Sequence, residues 1–403
     1  MGNNSASPLL IFDFRNRDGT ARPLCFAEPV EVVVAGSLAE VRPALRRVQA
    51  CVNAGLYAAG YVSYEAAPAF DSAFDVRDGA QLPLLWFGIF RAPSTRETFL
   101  TDGDFRFDGW LPATRRDEYD QNVGRVRAAI ARGQTYQVNY TLRLVSRFEG
   151  DALACYRRLQ ALQRPPYAAY LDTGRQQILS ASPELFFRLR GGEITTRPMK
   201  GTIRRGRWTE EDDALAAQLA ASEKDRAENV MIVDLLRNDL GRIADVGSVR
   251  VASLFDIERY PSVHQLTSTV TAGVPRDITL EDIFAALFPC GSITGAPKVS
   301  TMRLIAALED SPREIYCGAI GFVTPEREAV FNVAIRTMTI DGATGEAAYG
   351  VGGGITWDSN ADDEYREALV KAAQLLEDWS DFELLETLRL ERGAYFLPEL
   401  HLR

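Results

Sequence analysis

Short apolar runs separated by turn residues constrain the fold of this chain more than any other feature of its sequence. Between Thr135 and Arg197, apolar and polar residues alternate in successive runs. A two-residue period is typical of strands that bury one face. Gly191 and Gly192 fall between two such runs, where they predict a hairpin turn. The pattern therefore predicts consecutive antiparallel strands.

Two other segments flank this run of strands. Residues 1–92 alternate short apolar runs with one helical stretch near 38–54, which predicts an N-terminal sheet with a helix packed on it. A polar connection follows, and helical spacing from Arg116 to Arg132 ends at Gly133. We therefore divide the chain into an N-terminal part, residues 1–92, and a core, residues 115–380.

Composition excludes several classes of partner. The net charge of −10 argues against binding to nucleic acid or to an anionic membrane. No apolar run approaches the roughly 20 residues of a membrane span. Five cysteines without a CxxC motif predict reduced thiols and a cytoplasmic protein. Two histidines without paired cysteines argue against a zinc site.

Lysine is rare here, and its placement is informative. Of 45 basic residues only four are lysines, namely Lys200, Lys224, Lys298 and Lys371. An ammonium can lose its proton and become a nucleophile, whereas a guanidinium cannot. We expect Lys200 on a glycine-containing loop just past a strand end, a suitable platform for a reactive amine. The alternative is an ordinary solvated charge.

Two helical stretches each carry a pair of carboxylates. Asp225 and Glu228 lie three residues apart, as do Glu364 and Glu367, so each pair occupies one helix face. Carboxylates without histidine or thiol ligands suit a hard cation such as Mg²⁺. The alternative is two solvated helix faces paired with neighbouring arginines.

Other polar features leave alternatives open. Gly291–Lys298 lacks the spacing of a phosphate-binding loop. Tyr349–Gly354 lacks the third glycine of a dinucleotide motif, so we expect a strand-edge loop whose N–H groups could hold a carboxylate. Arg336 lies among apolar residues, either as a structural ion pair or as a clamp for a substrate carboxylate. His264 is either a hydrogen-bonded core histidine or a site residue.

Together these segments resemble one family, the chorismate-utilising enzymes. The similarity follows family order over about 115–380, and Gly60–Glu65 also fits. Within the family, lysine in Pro-Met-Lys-Gly-Thr resembles the subgroup that makes 4-amino-4-deoxychorismate, whereas anthranilate synthases have alanine there. The matching segments are Ser182–Glu184, Pro198–Thr202, Lys224–Asn229 to Asp239, Val263-His264, Gly291–Lys298, Ala334–Thr337, and Gly352–Ser359 with Glu364–Lys371.

The resemblance implies an α+β fold, a large two-lobed sandwich of antiparallel sheets with helices packed outside. It also implies Mg²⁺ held by Glu228 and Glu367, with Asp225 and Glu364 supporting through water. Glu184 becomes the general acid that protonates the departing C4 hydroxyl. Lys200 becomes the nucleophile that adds at ring carbon C2.

Substrate contacts follow from the same resemblance. Arg336 and Tyr316 would bind the enolpyruvyl carboxylate together with the backbone at Gly350 and Gly352. His264 would line the ring pocket. Further substrate contacts are assigned to Thr202 and Lys371.

The implied reaction converts chorismate and ammonia to 4-amino-4-deoxychorismate in para-aminobenzoate and folate biosynthesis. A glutamine amidotransferase partner would supply the ammonia. Gln137 stands where isochorismate and salicylate synthases have a lysine that activates water, and glutamine is no base. Three alternatives remain: anthranilate synthase, an isochorismate or salicylate type of enzyme, and a non-catalytic binding protein.

Residues 381–403 contribute nothing to this site. They predict two short strands around Arg392 and Gly393, and these resemble the opening strands of fold-type IV pyridoxal-phosphate enzymes. We expect either the remnant of a fused lyase or aminotransferase domain, or an ordinary C-terminal hairpin. We expect no pyridoxal phosphate to bind.

Overall fold

The computed structural model describes residues 7–15, 23–94, 103–376, 390–391 and 394–395. Within these ranges no helix is both long and apolar enough to cross a membrane. Two 3₁₀ helices span Tyr64–Ala69 and Gly291–Ile293. The α-helices are α1 (Leu38–Asn53), α2 (Arg116–Ala131), α3 (Ala152–Gln163), α4 (Thr209–Ala221), α5 (Glu223–Gly241), α6 (Leu280–Leu287), α7 (Lys298–Leu308) and α8 (Ala361–Leu376).

Strands account for most of the remaining described residues. They are β1 (Leu9–Phe14), β2 (Leu24–Ala27), β3 (Glu31–Ala35), β4 (Tyr57–Val62), β5 (Leu85–Phe90), β6 (Phe105–Phe107), β7 (Leu111–Pro112), β8 (Gln137–Gly150), β9 (Tyr167–Asp172), β10 (Gln176–Ser182), β11 (Leu185–Arg190), β12 (Glu193–Arg197), β13 (Met199–Arg204), β14 (Arg250–Arg259), β15 (Val263–Gly273), β16 (Gly295–Ala296), β17 (Ala319–Val323), β18 (Ala329–Val333), β19 (Thr337–Asp341), β20 (Glu346–Ile355), β21 (Leu390–Glu391) and β22 (Ala394–Tyr395).

Two large antiparallel sheets organise these strands. The first sheet has the order β16-β8-β20-β19-β10-β9-β1-β2, with β6 and β7 also paired to β8. The second has the order β13-β15-β12-β11-β18-β17-β4-β5-β3, with β14 paired to β15. The N-terminal strands β1 and β2 join the first sheet and β3–β5 join the second. The N-terminal part and the core therefore share both sheets.

The two sheets pack face to face around an apolar layer drawn from both. Phe12 of β1 lies 5.4 Å from Phe322 of β17, measured between ring centroids. Outside the second sheet, α1 and α6 pack with it into a second core. Outside the first sheet, α2, α3 and α8 pack into a third. This arrangement confirms the predicted α+β sandwich with helices outside.

Local signals predicted several elements correctly. The helices predicted near 38–54 and 116–132 are α1 and α2. Gly191 and Gly192 join β11 to β12 with φ values of 58° and 81°, in the left-handed region that glycine adopts without a steric penalty. Ser222 caps α5 by accepting a hydrogen bond from the Asp225 N–H.

Three predicted loops are wrong. Lys200 lies inside β13 rather than on a loop, because flanking residues pair with β15. Tyr349–Gly354 belongs to β20, where long pairing with β8 overrides the low strand propensity of glycine. The polar connection before α2 contains β6 and β7.

The C-terminal hairpin prediction is met only in part. β21 and β22 pair with each other and form a separate two-stranded sheet. The rest of residues 381–403, including the turn residues Arg392 and Gly393, lies outside the described residues. The proposed fusion remnant stays a prediction.

Candidate active site

Lys200 is presented by a bulge in β13, the edge strand of the second sheet. Met199 pairs with Thr267 and Thr202 pairs with Gln265, so two residues on β13 oppose one on β15. Gly201 within this bulge has φ +91°. A Cβ atom there would lie 2.9 Å from the Cβ of Asp225. Glycine therefore lets helix α5 approach the strand that carries the lysine.

The Lys200 amine projects toward the first sheet. A Cβ atom on Gly354 of β20 would lie 3.1 Å from the Lys200 Nζ and 1.9 Å from the Gln137 Nε2. Burial lowers the pKa of Lys200, although Glu228, Glu184 and other carboxylate charges oppose that shift. The net direction favours the neutral amine that a nucleophile requires.

Glu184 lies between β10 and β11 and is 2% exposed. Burial raises the pKa of Glu184 to about 7, although Ser292, the Lys200 charge and the Met199 N–H oppose the shift. Its Oε1 atom has no hydrogen-bond partner among the described residues. A carboxylic acid protonated near neutral pH beside a lysine can serve as a general acid.

The two predicted carboxylate pairs face each other across the site, one on α5 and one on α8. Burial raises the pKa of Glu228, with the Asp225 and Glu364 charges adding to the shift. Burial also raises the pKa of Glu364, which accepts a 2.6 Å hydrogen bond from Ser359. The structure thus brings together carboxylates from two helices far apart in sequence.

Lysine ammonium groups lie among these carboxylates. The Lys371 Nζ is 2.8 Å from Glu367 Oε1 and 3.1 Å from the Gly352 carbonyl oxygen. Burial acts to raise the pKa of Glu367, but the Lys371 ammonium outweighs it and the net shift is downward. The Lys371 ammonium therefore already forms an ion pair with Glu367, one of the four carboxylates.

The donor chemistry fits the Mg²⁺ that the resemblance implies, because oxygen ligands and buried negative charge are what this ion prefers. As the side chains are placed, no three potential ligands in the described ranges stand close enough to hold a metal ion. The residues that would hold the ion are Glu228 and Glu367, with Asp225 and Glu364 beside them.

The residues predicted to bind the enolpyruvyl carboxylate are Arg336, between β18 and β19, and Tyr316, with Gly350 in β20. The Tyr316 ring packs directly on Gly350, where a Cβ atom would lie 2.2 Å from the ring. Burial lowers the pKa of the Arg336 guanidinium, although Tyr349 and Tyr260 oppose the shift. Within the described ranges no carboxylate pairs with Arg336. Of the two interpretations left open by the sequence, this arrangement favours the clamp for a substrate carboxylate.

His264 and Thr202 are placed differently. His264 is completely buried, and its Nε2 lies 2.9 Å from Asp212 Oδ1. Asp212 also accepts two hydrogen bonds from Arg205, at 2.7 and 2.8 Å. The structure thus ties His264 to α4 as a hydrogen-bonded core histidine. Thr202 is exposed on β13.

Two side chains acquire roles that sequence reasoning did not assign. Ser292 interacts with the Glu184 carboxyl, a role that neither the phosphate-loop comparison nor the family resemblance assigned to it. Lys298 forms a buried 2.8 Å ion pair with Asp239, so this lysine joins α7 to α5 structurally. The roles of Ser292 and Lys298 depend on tertiary contacts, so the local sequence does not reveal them.

The chain is similar to proteins of a known family. A family model described as chorismate binding enzyme matches residues 92–377. The chain belongs to this family.

Its relatives include aminodeoxychorismate synthase component 1 of Klebsiella aerogenes, 40% identical over 74% of this chain and 64% of that enzyme. The Salmonella typhimurium enzyme of the same name is 42% identical over 72% of this chain and 62% of its own length. This family member thus spans less than two thirds of the length of these relatives.

Solved structures agree on the fold. Anthranilate synthase component I from Streptococcus pneumoniae superposes with a TM-score of 0.71 at 25% identity, covering 92% of each chain. The menaquinone-specific isochorismate synthase of Escherichia coli gives 0.74 at 19% identity, covering 92% of this chain and 89% of that one. This second likeness concerns the fold alone.

Substituting Arg336 tests the clamp. Arg336→Met should raise the KM for a carboxylate substrate by about tenfold or more, the scale of a lost charge-assisted hydrogen bond. The melting temperature should stay unchanged or rise, because the variant removes a buried charge without a carboxylate partner. Steady-state kinetics and thermal unfolding measure both quantities.

Arg205→Met is the matched control. It removes the two short guanidinium hydrogen bonds of Asp212 but leaves its His264 contact and Arg259 at 3.9 Å, so it should lower the free energy of unfolding by about 1 to 2 kcal/mol while the KM stays the same. An unchanged KM in Arg336→Met would show that Arg336 does not contact the substrate.

Proposed function

We propose that the protein converts chorismate and ammonia into 4-amino-4-deoxychorismate and water. The observation that carries the proposal is the juxtaposition of Lys200 and Glu184, an amine and a carboxyl group whose pKa values shift in opposite directions. Relatives named aminodeoxychorismate synthase component 1 support the same reaction. The product serves para-aminobenzoate and folate synthesis.

In the first step the neutral Lys200 nitrogen adds to ring carbon C2. The two ring double bonds shift, the C4–oxygen bond breaks, and Glu184 supplies the proton with which the hydroxyl leaves as water. In the second step ammonia adds at C4, the double bonds shift back and the C2–nitrogen bond breaks. The proton that the lysine nitrogen gives up on addition returns Glu184 to its acid form, and the proton that ammonia loses goes to the lysine nitrogen as it leaves.

Substrate charge sets the remaining requirements. Chorismate is a dianion, so binding beside four carboxylates needs positive charge. Arg336, with Tyr316 packed on Gly350, is placed to hold the enolpyruvyl carboxylate. Mg²⁺ held by Glu228 and Glu367 would neutralise the ring carboxylate, with Asp225 and Glu364 supporting through water.

Ammonia requires a source. The relatives are named as component 1, which supports a second component, and we propose a glutamine amidotransferase. We place the protein in the cytoplasm, where the buried thiols of Cys51, Cys155, Cys290 and Cys317 would stay reduced.

Anthranilate synthase is the main alternative, since a relative of that name from Aquifex aeolicus is 38% identical over 67% of this chain. In that reaction ammonia itself would add at C2. The Lys200 amine, beside Gly354 and Gln137, can itself act as the nucleophile. This favours addition of the lysine over direct addition of ammonia at C2. Gln137 cannot act as a base, so water should be a poor nucleophile here and isochorismate or salicylate chemistry is disfavoured.

Replacing Lys200 tests the nucleophile. Lys200→Ala should abolish the covalent chorismate adduct and reduce aminodeoxychorismate formation by on the order of 10³-fold or more. A trace of anthranilate should appear at high ammonia, because the vacated space admits ammonia at C2. Intact-protein and product mass spectrometry with chorismate, Mg²⁺ and ammonium salt measure both outcomes.

Lys298→Ala is the control for this experiment, because Lys298 is occupied by its ion pair with Asp239. It should keep the adduct, although the fold loses stability. An adduct that persists in Lys200→Ala would contradict the assignment of the nucleophile.

Replacing the carboxylates tests the metal. Glu228→Gln or Glu367→Gln should abolish Mg²⁺-dependent activity. Because the pKa of Glu228 is raised in the folded state, stability falls as pH rises from its unfolded-state pKa to the raised folded-state pKa, and Glu228→Gln should keep or raise the melting temperature at pH 8. Glu367→Gln removes a half-exposed ion pair and should cost about 1 kcal/mol or less. Full activity of the unsubstituted protein in EDTA would contradict the requirement for a metal.

A further inference from the structure

Segments far apart in the sequence carry the neighbours of Lys200 and Glu184 and the tyrosine that packs on Gly350. Gln137 comes from β8, Ser292 from the 3₁₀ helix before α7, and Tyr316 from the connection between α7 and β17. Arg313 lies on the same connection as Tyr316, and its buried side chain contacts the two segments that carry Gln137 and Ser292. Arg313 is 4% exposed, so its contacts are shielded from water.

The Arg313 guanidinium donates to two backbone carbonyl oxygens on different segments. Its Nη1 lies 2.8 Å from the Ile293 oxygen, and its Nη2 lies 2.7 Å from the Asn139 oxygen. Ile293 directly follows Ser292, and Asn139 lies two residues after Gln137 on the same strand. The fork of one guanidinium thus fixes the spacing between the two segments.

The charge of this guanidinium is balanced locally. Glu309 accepts from Nε at 2.8 Å and from Nη2 at 2.7 Å. The same Glu309 carboxylate accepts from the N–H and the hydroxyl of Thr141 at 3.0 and 2.8 Å. Glu309 therefore ties the α7 end to β8 a second time, next to the Asn139 contact.

The backbone of Arg313 is held as well. Glu65 accepts from the Arg313 N–H at 2.7 Å and from the Glu314 N–H at 2.8 Å. The Tyr64 ring lies under the guanidinium, 4.7 Å from ring centroid to Cζ. The N-terminal part of the chain thus fixes where Arg313 stands, three residues before Tyr316.

We propose that Arg313 is a positioning residue of the active site. By holding the Ile293 and Asn139 carbonyls at a fixed separation, it keeps Ser292 against the Glu184 carboxyl and Gln137 beside the Lys200 amine. The kinetic part of its test rests on the proposed function, and the exchange measurement below does not.

Arg313→Lys is the informative substitution. Lysine keeps the positive charge beside Glu309, but a single ammonium cannot reproduce the planar fork that reaches two carbonyls and one carboxylate. Displacement of reacting groups by about 1 Å can cost on the order of 10²-fold in rate. We expect kcat to fall between about tenfold and hundredfold.

Arg143→Lys is the matched control. Arg143 is a partly buried arginine of β8 whose side chain contacts the connection that carries Arg313, donating to the Pro312 oxygen at 2.7 Å and to Glu314 at 3.3 Å. It contacts neither the Ser292 segment nor Asn139 in the described structure. We expect its kcat to stay within about twofold, the usual effect of a substitution away from the site.

A pH profile separates positioning from a loss of stability. Ser292 lowers the pKa of Glu184, so weakening this contact should move the basic limb of kcat/KM to higher pH. The other groups that face Glu184 are Lys200, the Met199 N–H and the Cys290 thiol. Arg313→Lys leaves the chemical identity of all three unchanged. Arg143→Lys should leave the limb in place.

Ser292→Ala completes a double-mutant cycle with Arg313→Lys. If Arg313 acts through Ser292, each single variant moves the basic limb upward and the double variant moves it no further than Ser292→Ala alone. Additive shifts, or an unmoved limb with unchanged kcat in Arg313→Lys, would overturn the proposal.

Amide hydrogen exchange tests the same inference without any activity. In the full chain, exchange within 136–141 and 291–296 should be about tenfold faster or more in Arg313→Lys, and unchanged in Arg143→Lys. Should Arg313→Lys fail to fold, Glu65→Gln takes its place and should accelerate the same two segments. Unchanged exchange in both segments would overturn the proposal, even if the protein proved to catalyse another reaction.

Discussion

The site depends on the desolvation of one amine and one carboxyl group side by side. In water Lys200 and Glu184 would both be charged, and their attraction would keep them so. Burial disfavours both charges, and its effect exceeds that of the opposite charge in each case, so the pKa of Lys200 falls and that of Glu184 rises. The pair is thereby biased toward a neutral nucleophile and a protonated acid, the states that addition at C2 and loss of the C4 hydroxyl require.

The rest of the architecture maintains this balance. Carboxylates on α5 and α8 would restore the charge on Lys200 if they stood unneutralised, and Lys371 and Lys224 lie among them. Replacement of a lysine ammonium by Mg²⁺ would preserve the neutralisation and admit a substrate carboxylate. On this proposal, metal binding and lysine reactivity would be linked by the same electrostatics. Arg336 has no carboxylate partner in the described ranges. It would supply the second positive charge that a dianionic substrate needs.

Sequence reasoning succeeded where the signal is local. Alternation predicted the strands, helical spacing predicted α1 and α2, and the paired glycines predicted the β11–β12 turn. The bulge at Lys200 could not be read this way, because it depends on the register against β15. The partner of His264 could not be read either, since Asp212 reaches it only when α4 packs on the sheet. Arg313 lies among polar neighbours in the sequence, and only its tertiary partners explain its burial. The grouping of Glu184, Lys200 and the four carboxylates came from family resemblance rather than from spacing.

The pKa of the Lys200 amine tests the account most directly. Competitive acylation with acetic anhydride across a pH series, with peptides resolved by mass spectrometry, reports the titration of each lysine in the folded protein. The account predicts a midpoint for Lys200 clearly below the ordinary lysine value of about 10.4, because burial outweighs the surrounding carboxylates. A midpoint at or above that value would mean that the carboxylates outweigh burial. Lys200 would then be a charged lysine rather than the nucleophile.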